Sequence, residues 1–167
     1  MVRSHGGFVN VYSEPGEGTS FKVYLPAQQA AGEEPQHETD ADRPRGNGET
    51  VLVVDDELSI LTITRHTLET YGYRVLTAED GAQAIGVFAM NRLNVDVIIT
   101  DMMMPVMDGA SLIKAIRRID PNARIIAASG LQGGVTVAKA ARVGVNNFLE
   151  KPFSASQLLS TIRAALD

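Results

Sequence analysis

Residues 50–55 read TVLVVD, an unbroken β-branched and aliphatic run that stops on an acid. A strand that is apolar on both faces belongs in a sheet covered on two sides, since a half-exposed strand would alternate apolar with polar. Further runs share this character: YRVLTA at 73–78, VDVIITD at 95–101, ARIIAAS at 123–129 and NNFLEK at 146–151. Between them the apolar residues fall at helical spacing, most clearly Leu112, Ile113, Ile116 and Ile119, then Leu158, Leu159, Ile162, Ala165 and Leu166. Asp108 and Ser154 stand where helix N-caps belong, and Gly72 and Gly144 where helices should stop. This alternation over about 118 residues predicts an α/β fold, a parallel sheet sandwiched by helices and joined by right-handed crossovers.

The rest of the chain is smaller and different. With 167 residues and 44% hydrophobic content, one core and a small appendage are expected. A formal net charge of -5 and the lack of a clustered Lys and Arg run exclude nucleic acid or an anionic membrane as the main partner. There is no cysteine, so disulfides, thiolate metal sites and a cysteine nucleophile are excluded. No apolar run reaches the roughly 20 residues of a membrane span, so the chain is read as cytoplasmic with no membrane contact of its own. Residues 27–49 hold six acids against two arginines and no aliphatic side chain larger than Ala; such a segment is expected to be a flexible acidic linker.

In open parallel sheets, ligands bind at the carboxyl ends of the strands. That rule selects Asp55 and Asp56 after the first run, Asp101 after the third, Ser129 after the fourth and Lys151 after the fifth. Carboxylates brought together there repel: two charges about 4 Å apart at an effective dielectric of about 20 cost roughly 4 kcal/mol. A divalent cation relieves this, and an all-oxygen donor set suits Mg2+ better than a transition metal. A carboxylate in such a cluster can attack phosphorus and form an acyl phosphate if cations and hydroxyls stabilise the transferring oxygens.

The stretches VLVVDDE, ITDMMMPVMDG, AASG and FLEKP, in this order and spacing, resemble the successive motifs of the response-regulator receiver domain across residues 50–167. The resemblance implies a doubly wound, flavodoxin-like five-stranded sheet in the order 2-1-3-4-5, and a phosphoryl group accepted from a phosphohistidine onto Asp101. It further implies Asp56 as a direct Mg2+ ligand, Asp55 as a ligand or water-holding acid, Asp101 as a ligand itself and the Met103 carbonyl as another contact. Lys151 would pair with the acids and then with phosphate. Ser129 and Phe148 occupy the switch positions that report phosphorylation to the face made by the fourth helix, fifth strand and fifth helix. The family usually has the Lys151–Pro152 bond cis. Of the three consecutive methionines, Met104 is expected under the loop, with Met102 and Met103 partly exposed. His66 is read as a solvated helical residue, because the acid and proline that accompany a phosphorylatable kinase histidine are missing.

Residues 5–26, HGGFVNVYSEPGEGTSFKVYLP, resemble the closing segment of a histidine-kinase ATP-binding domain, a β-hairpin remnant whose Val9 and Val11 are expected to share a buried face with Phe21, Val23 and Leu25. The expected organisation is therefore 1–26 hairpin, 27–49 linker and 50–167 receiver, as in the tail of a hybrid sensor kinase. The leading function is a phosphorelay receiver that catalyses its own aspartyl phosphorylation and dephosphorylation. Its expected partner is a sensor histidine kinase core or a histidine phosphotransfer protein. The competing reading is a fragment of an ATP-dependent hybrid kinase whose own catalytic activity is absent from the chain. With the last helix ending at the last residues, output is expected to pass to another protein; dimerisation is left open.

Overall fold

A computed structural model describes residues 8–14, 16, 18–24, 43–130 and 143–167. They fall in two compact units, split at Glu38 and Thr39. The first contains an antiparallel pair, β1 (Phe8–Glu14) and β2 (Gly18–Tyr24), with Val9 opposite Val23 and Val11 opposite Phe21. These four side chains share one face, as the alternation predicts, but the burial expected of that face is not found: all four are exposed, because among the described residues no second layer covers the two-stranded pair. Leu25 and Glu17 lie outside the described residues.

The second unit alternates strand and helix: β3 (Thr50–Val54), α1 (Leu58–Thr70), β4 (Arg74–Ala78), α2 (Gly81–Asn91), β5 (Val97–Asp101), α3 (Gly109–Ile119), β6 (Ile125–Ser129), β7 (Asn147–Glu150) and α4 (Ala155–Leu166). The segment 131–142, where the expected fourth helix of the domain falls, is outside the described residues. The strands form one parallel sheet in the order β4-β3-β5-β6-β7, the predicted 2-1-3-4-5 arrangement.

The period of two along each strand divides the core. Val51, Val53, Val97, Ile99, Ile126 and Ala128 face one layer, which holds Leu61 and Leu68 of α1 and Leu158, Leu159 and Ile162 of α4. Leu52, Val54, Ile98, Ile125 and Ala127 face the other, against Ala84 and Phe88 of α2 and Leu112, Ile113 and Ile116 of α3. Strands buried on both faces are continuous apolar runs for this reason. Among the described residues, no helix is long and apolar enough to cross a membrane.

Helix ends follow the sequence signals. The Asp108 carboxylate accepts from the Ser111 amide at 2.9 Å, Ser154 and Gln157 form a reciprocal capping box, and Gly72, just past α1, has positive φ; Gly144 has positive φ too, and the segment expected to end there lies outside the described residues. One expectation is corrected: the flexible run through residue 49 does not extend that far. Gly46 and Gly48 donate to the carbonyls of Tyr71 and Gly72 at 2.8 and 3.1 Å, and Arg74 donates back to the Glu49 carbonyl at 2.9 Å. Arg163 in the last turn of α4 donates to the Glu49 carboxylate at 3.2 Å and to the Arg45 carbonyl at 2.6 Å. Gly46 lies so close to Tyr73 that a Cβ there would sit 2.7 Å from its ring. Burial pushes the Glu49 carboxyl up, yet backbone N–H bonds and Arg163 leave it below the usual carboxylate range. Residues 43–49 are thus clasped to the α1–β4 turn and to α4, through backbone groups that composition does not reveal.

Two glycines give a sharp packing test. A Cβ on Gly109 would lie 2.4 Å from the Asp101 carbonyl oxygen and 2.8 Å from the Met102 Cα, whereas one on Gly86, exposed in α2, would meet nothing within 4 Å. Gly109→Ala is expected to lower the unfolding free energy by about 1–3 kcal/mol, and Gly86→Ala to raise it by about 0.5–1 kcal/mol, in urea denaturation. Equal effects of the two would contradict the packing described.

Candidate functional site at the carboxyl ends of the strands

The strand order reverses at β3, since the chain moves to β4 on one side and to β5 on the other. Such a switch point leaves a crevice beyond the strand ends. Asp55 and Asp56 emerge from β3 at this crevice, and Asp101 ends β5 beside it. Carboxylate oxygens of Asp55, Asp56 and Asp101 all lie within 4.8 Å of one another. Asp55 is buried, Asp101 half-buried and Asp56 exposed.

Lys151 reaches the pair from the other side of the sheet. It follows β7, and its amide donates to the Ser129 carbonyl at 2.7 Å. Its ammonium donates to Asp55 Oδ2 at 2.5 Å and to Asp101 Oδ2 at 2.9 Å. The second oxygens are also held: Asp55 Oδ1 accepts from the Glu57 amide at 3.0 Å and Asp101 Oδ1 from the Met103 amide at 3.1 Å. Burial pulls the Lys151 pKa down, but the hydrogen bonds and charges of Asp55 and Asp101 outweigh it, so the ammonium titrates above its ordinary value. With side chains only 19%, 5% and 12% exposed for Lys151, Asp55 and Asp101, these ion pairs are poorly screened.

The other residues singled out from the sequence lie as follows. Ser129 closes β6, one residue beyond Ala128, which is paired with Asp101, and is buried. Phe148 in β7 is half-buried against the α2 and α3 core. The Lys151–Pro152 bond is cis. His66 is exposed on α1 and takes no part in the acid cluster. Met104 is buried under the loop and Met103 is 70% exposed, as expected, but Met102 is buried at 3% exposure. A row of three methionines has no periodicity to distinguish them; the return of the loop does, since the Gly109 amide donates to the Met102 carbonyl at 3.3 Å and pins Met102 inward.

The donor set is oxygen throughout, three carboxylates open to solvent on the Asp56 side. That fits a small hard cation such as Mg2+, which takes one or two carboxylates and keeps several waters.

The chain belongs to the response regulator receiver domain family, whose pattern matches residues 51–163. It is 34% identical to the chemotaxis protein CheY of Bacillus subtilis over 70% of this chain and 97% of that protein. It is 29% identical to the sensor kinase CckA of Brucella abortus over 100% of this chain but only 18% of that protein. A solved chain of the CheX-CheY-BeF3-Mg2+ complex of Borrelia burgdorferi is 27% identical, with a TM-score of 0.67, over 77% of this chain and 93% of that one. The chain thus spans less than half the length of the sensor kinase and of several regulators that it matches. Its function is that of a two-component phosphorelay receiver.

Removing the ammonium would leave two poorly solvated carboxylates facing each other. Lys151→Met is expected to lower stability by about 3 kcal/mol in metal-free buffer, and millimolar Mg2+ should restore much of the loss, as read by thermal melting. A melting curve that Mg2+ does not move would count against the cation-binding geometry.

Proposed function

We propose that Asp101 is the phosphoacceptor and that the donor is a phosphohistidine on a sensor kinase core or a histidine phosphotransfer protein. The observation that carries this reading is the Lys151 ammonium bonded to both Asp55 and Asp101 at the mouth of the crevice. In the transfer, a carboxylate oxygen of Asp101 bonds to phosphorus as the N–P bond breaks, and the bonding pair returns to the imidazole nitrogen. The Met103 amide and Lys151 orient the carboxylate beforehand. Once the oxygen is esterified, the Lys151 ammonium pairs with the new phosphoryl oxygens and the buried Ser129 hydroxyl donates to another. Mg2+, held by Asp55, Asp56, Asp101 and the Met103 carbonyl, would supply charge neutralisation for the phosphoryl oxygens. The solved Borrelia complex, which contains BeF3 and Mg2+, supports this assignment by likeness.

Withdrawal of Ser129 toward the phosphoryl group vacates space beside β7, which Phe148 fills from its half-buried position. A shift from 1:99 to 99:1 takes about 5.5 kcal/mol of differential interaction, within reach of new charge-assisted bonds to a dianion. The fourth-helix part of the face that reads this switch lies outside the described residues.

Residues 1–26 are proposed as the last hairpin of a histidine-kinase ATP-binding domain, with 27–42 as linker and the receiver following. Support comes from the match to a sensor kinase over the whole chain, and from a hairpin whose apolar face is exposed. The compartment is then the cytoplasm, where ATP-dependent kinases work.

With Mg2+ and labelled acetyl phosphate, the chain should take up label, and Asp101→Asn should take up none; labelling from ATP alone would favour the kinase-fragment reading. Met103, two residues past the proposed acceptor, is an exposed apolar side chain, and its role in this reading is to hinder attacking water. Met103→Asn is expected to shorten the phosphoryl lifetime several-fold in a chase experiment, and an unchanged lifetime would remove that role.

A further inference from the structure

Among the described residues, the most deeply buried polar side chain belongs to Thr100, with 0% exposure. It stands in β5 directly before Asp101, paired with Val54 of β3 and Ala127 of β6. The period of two along the strand turns it, with Ile98, toward the apolar layer of α2 and α3. Valine has nearly the same shape and suits both a strand and an apolar layer, whereas a hydroxyl placed there costs free energy unless it is bonded. This hydroxyl is bonded, for Thr100 Oγ1 donates to the Asp101 carbonyl oxygen at 2.9 Å.

The peptide unit that carries this oxygen joins Asp101 to Met102 and is held at three points. Its carbonyl accepts from Thr100, and its N–H, that of Met102, donates to the Ala128 carbonyl at 3.0 Å. Gly109 packs over it so closely that a Cβ there would sit 2.4 Å from the carbonyl oxygen. The same unit lies inside an Asx turn, in which the Met103 amide donates to Asp101 Oδ1 at 3.1 Å. Such a turn closes only when the peptide unit within it has the right tilt. That tilt therefore fixes the Asp101 carboxylate, leaving Oδ2 for the Lys151 ammonium at 2.9 Å.

We propose that Thr100 is a positioning residue for phosphoryl transfer: its buried hydroxyl holds the Asp101–Met102 peptide, and through it the Asp101 carboxylate, in the orientation that meets phosphorus. The inference rests on the reading of Asp101 as phosphoacceptor. With no exposed surface, Thr100 does not meet the phosphodonor itself. It acts on alignment, where a small misplacement of the attacking oxygen costs a large factor in rate.

The test compares Thr100→Val, Thr100→Ser and Thr64→Val in the full chain, with labelled acetyl phosphate and saturating Mg2+. Thr64, buried in α1, is the control for losing a buried hydroxyl elsewhere in the fold. Thr100→Val should slow labelling about ten-fold while melting within a few degrees of the unaltered chain. The loss should lie in the rate at saturating donor and not in the donor concentration that half-saturates it. Thr100→Ser restores the hydroxyl but lacks the methyl, so it should label at close to the unaltered rate and melt several degrees lower. Thr64→Val should label at the unaltered rate. A merely structural role predicts labelling that follows melting temperature across the three variants, and that result would overturn the proposal. So would unaltered labelling of Thr100→Val, or a Thr100→Val chain that is unfolded at the assay temperature. If the unaltered chain takes no label at Asp101, the acceptor reading itself falls, whatever the variants do.

Discussion

The Lys151 ammonium lies between two carboxylates that would otherwise repel across the end of the sheet. It bridges elements far apart in the chain: Asp55 follows the first strand of the large sheet, Asp101 ends the third, and Lys151 follows the fifth. The ladder that joins β3, β5, β6 and β7 in register is what makes the bridge possible. One ammonium faces three carboxylates, so the cluster with Asp56 keeps an excess of negative charge that suits a divalent cation.

Everything else in the domain serves to hold those groups still. Alternation along the strands supplies two apolar layers, and the helices on each side fix the strands from both faces. The loop after Asp101 is anchored because Met102 and Met104 are buried and Gly109 closes tightly over the strand end. At the opposite end of the sheet, the clasp of residues 43–49 ties the entering chain to the α1–β4 turn and to α4. The same anchors around the end of β5 hold the backbone at Val106 in a sparsely populated conformation, with φ 67°.

What the sequence disclosed followed from strong local patterns. Continuous apolar runs marked the strands, Asp108 and Ser154 marked helix starts, and the acids and the lysine at the strand ends marked the crevice. Three features were illegible because their causes are tertiary. Arg43–Glu49 is polar and reads as linker, yet its backbone groups find partners in a distant turn. Met102 is indistinguishable from Met103 by composition, and only the return of Gly109 decides which is buried. Val106 looks like an ordinary loop valine until its turn is seen. Ser129 and Phe148 stand at motif positions, and the structure locates them in β6 and β7.

The central claim is that phosphate is carried by the Asp101 carboxylate. Its most direct test is to trap the phosphorylated chain with borohydride, which reduces an acyl phosphate to an alcohol, and to sequence the resulting peptides by mass spectrometry. The account predicts homoserine at position 101 and an unmodified aspartate at positions 55 and 56. Modification at Asp55, Asp56 or His66 with an intact Asp101 would contradict it.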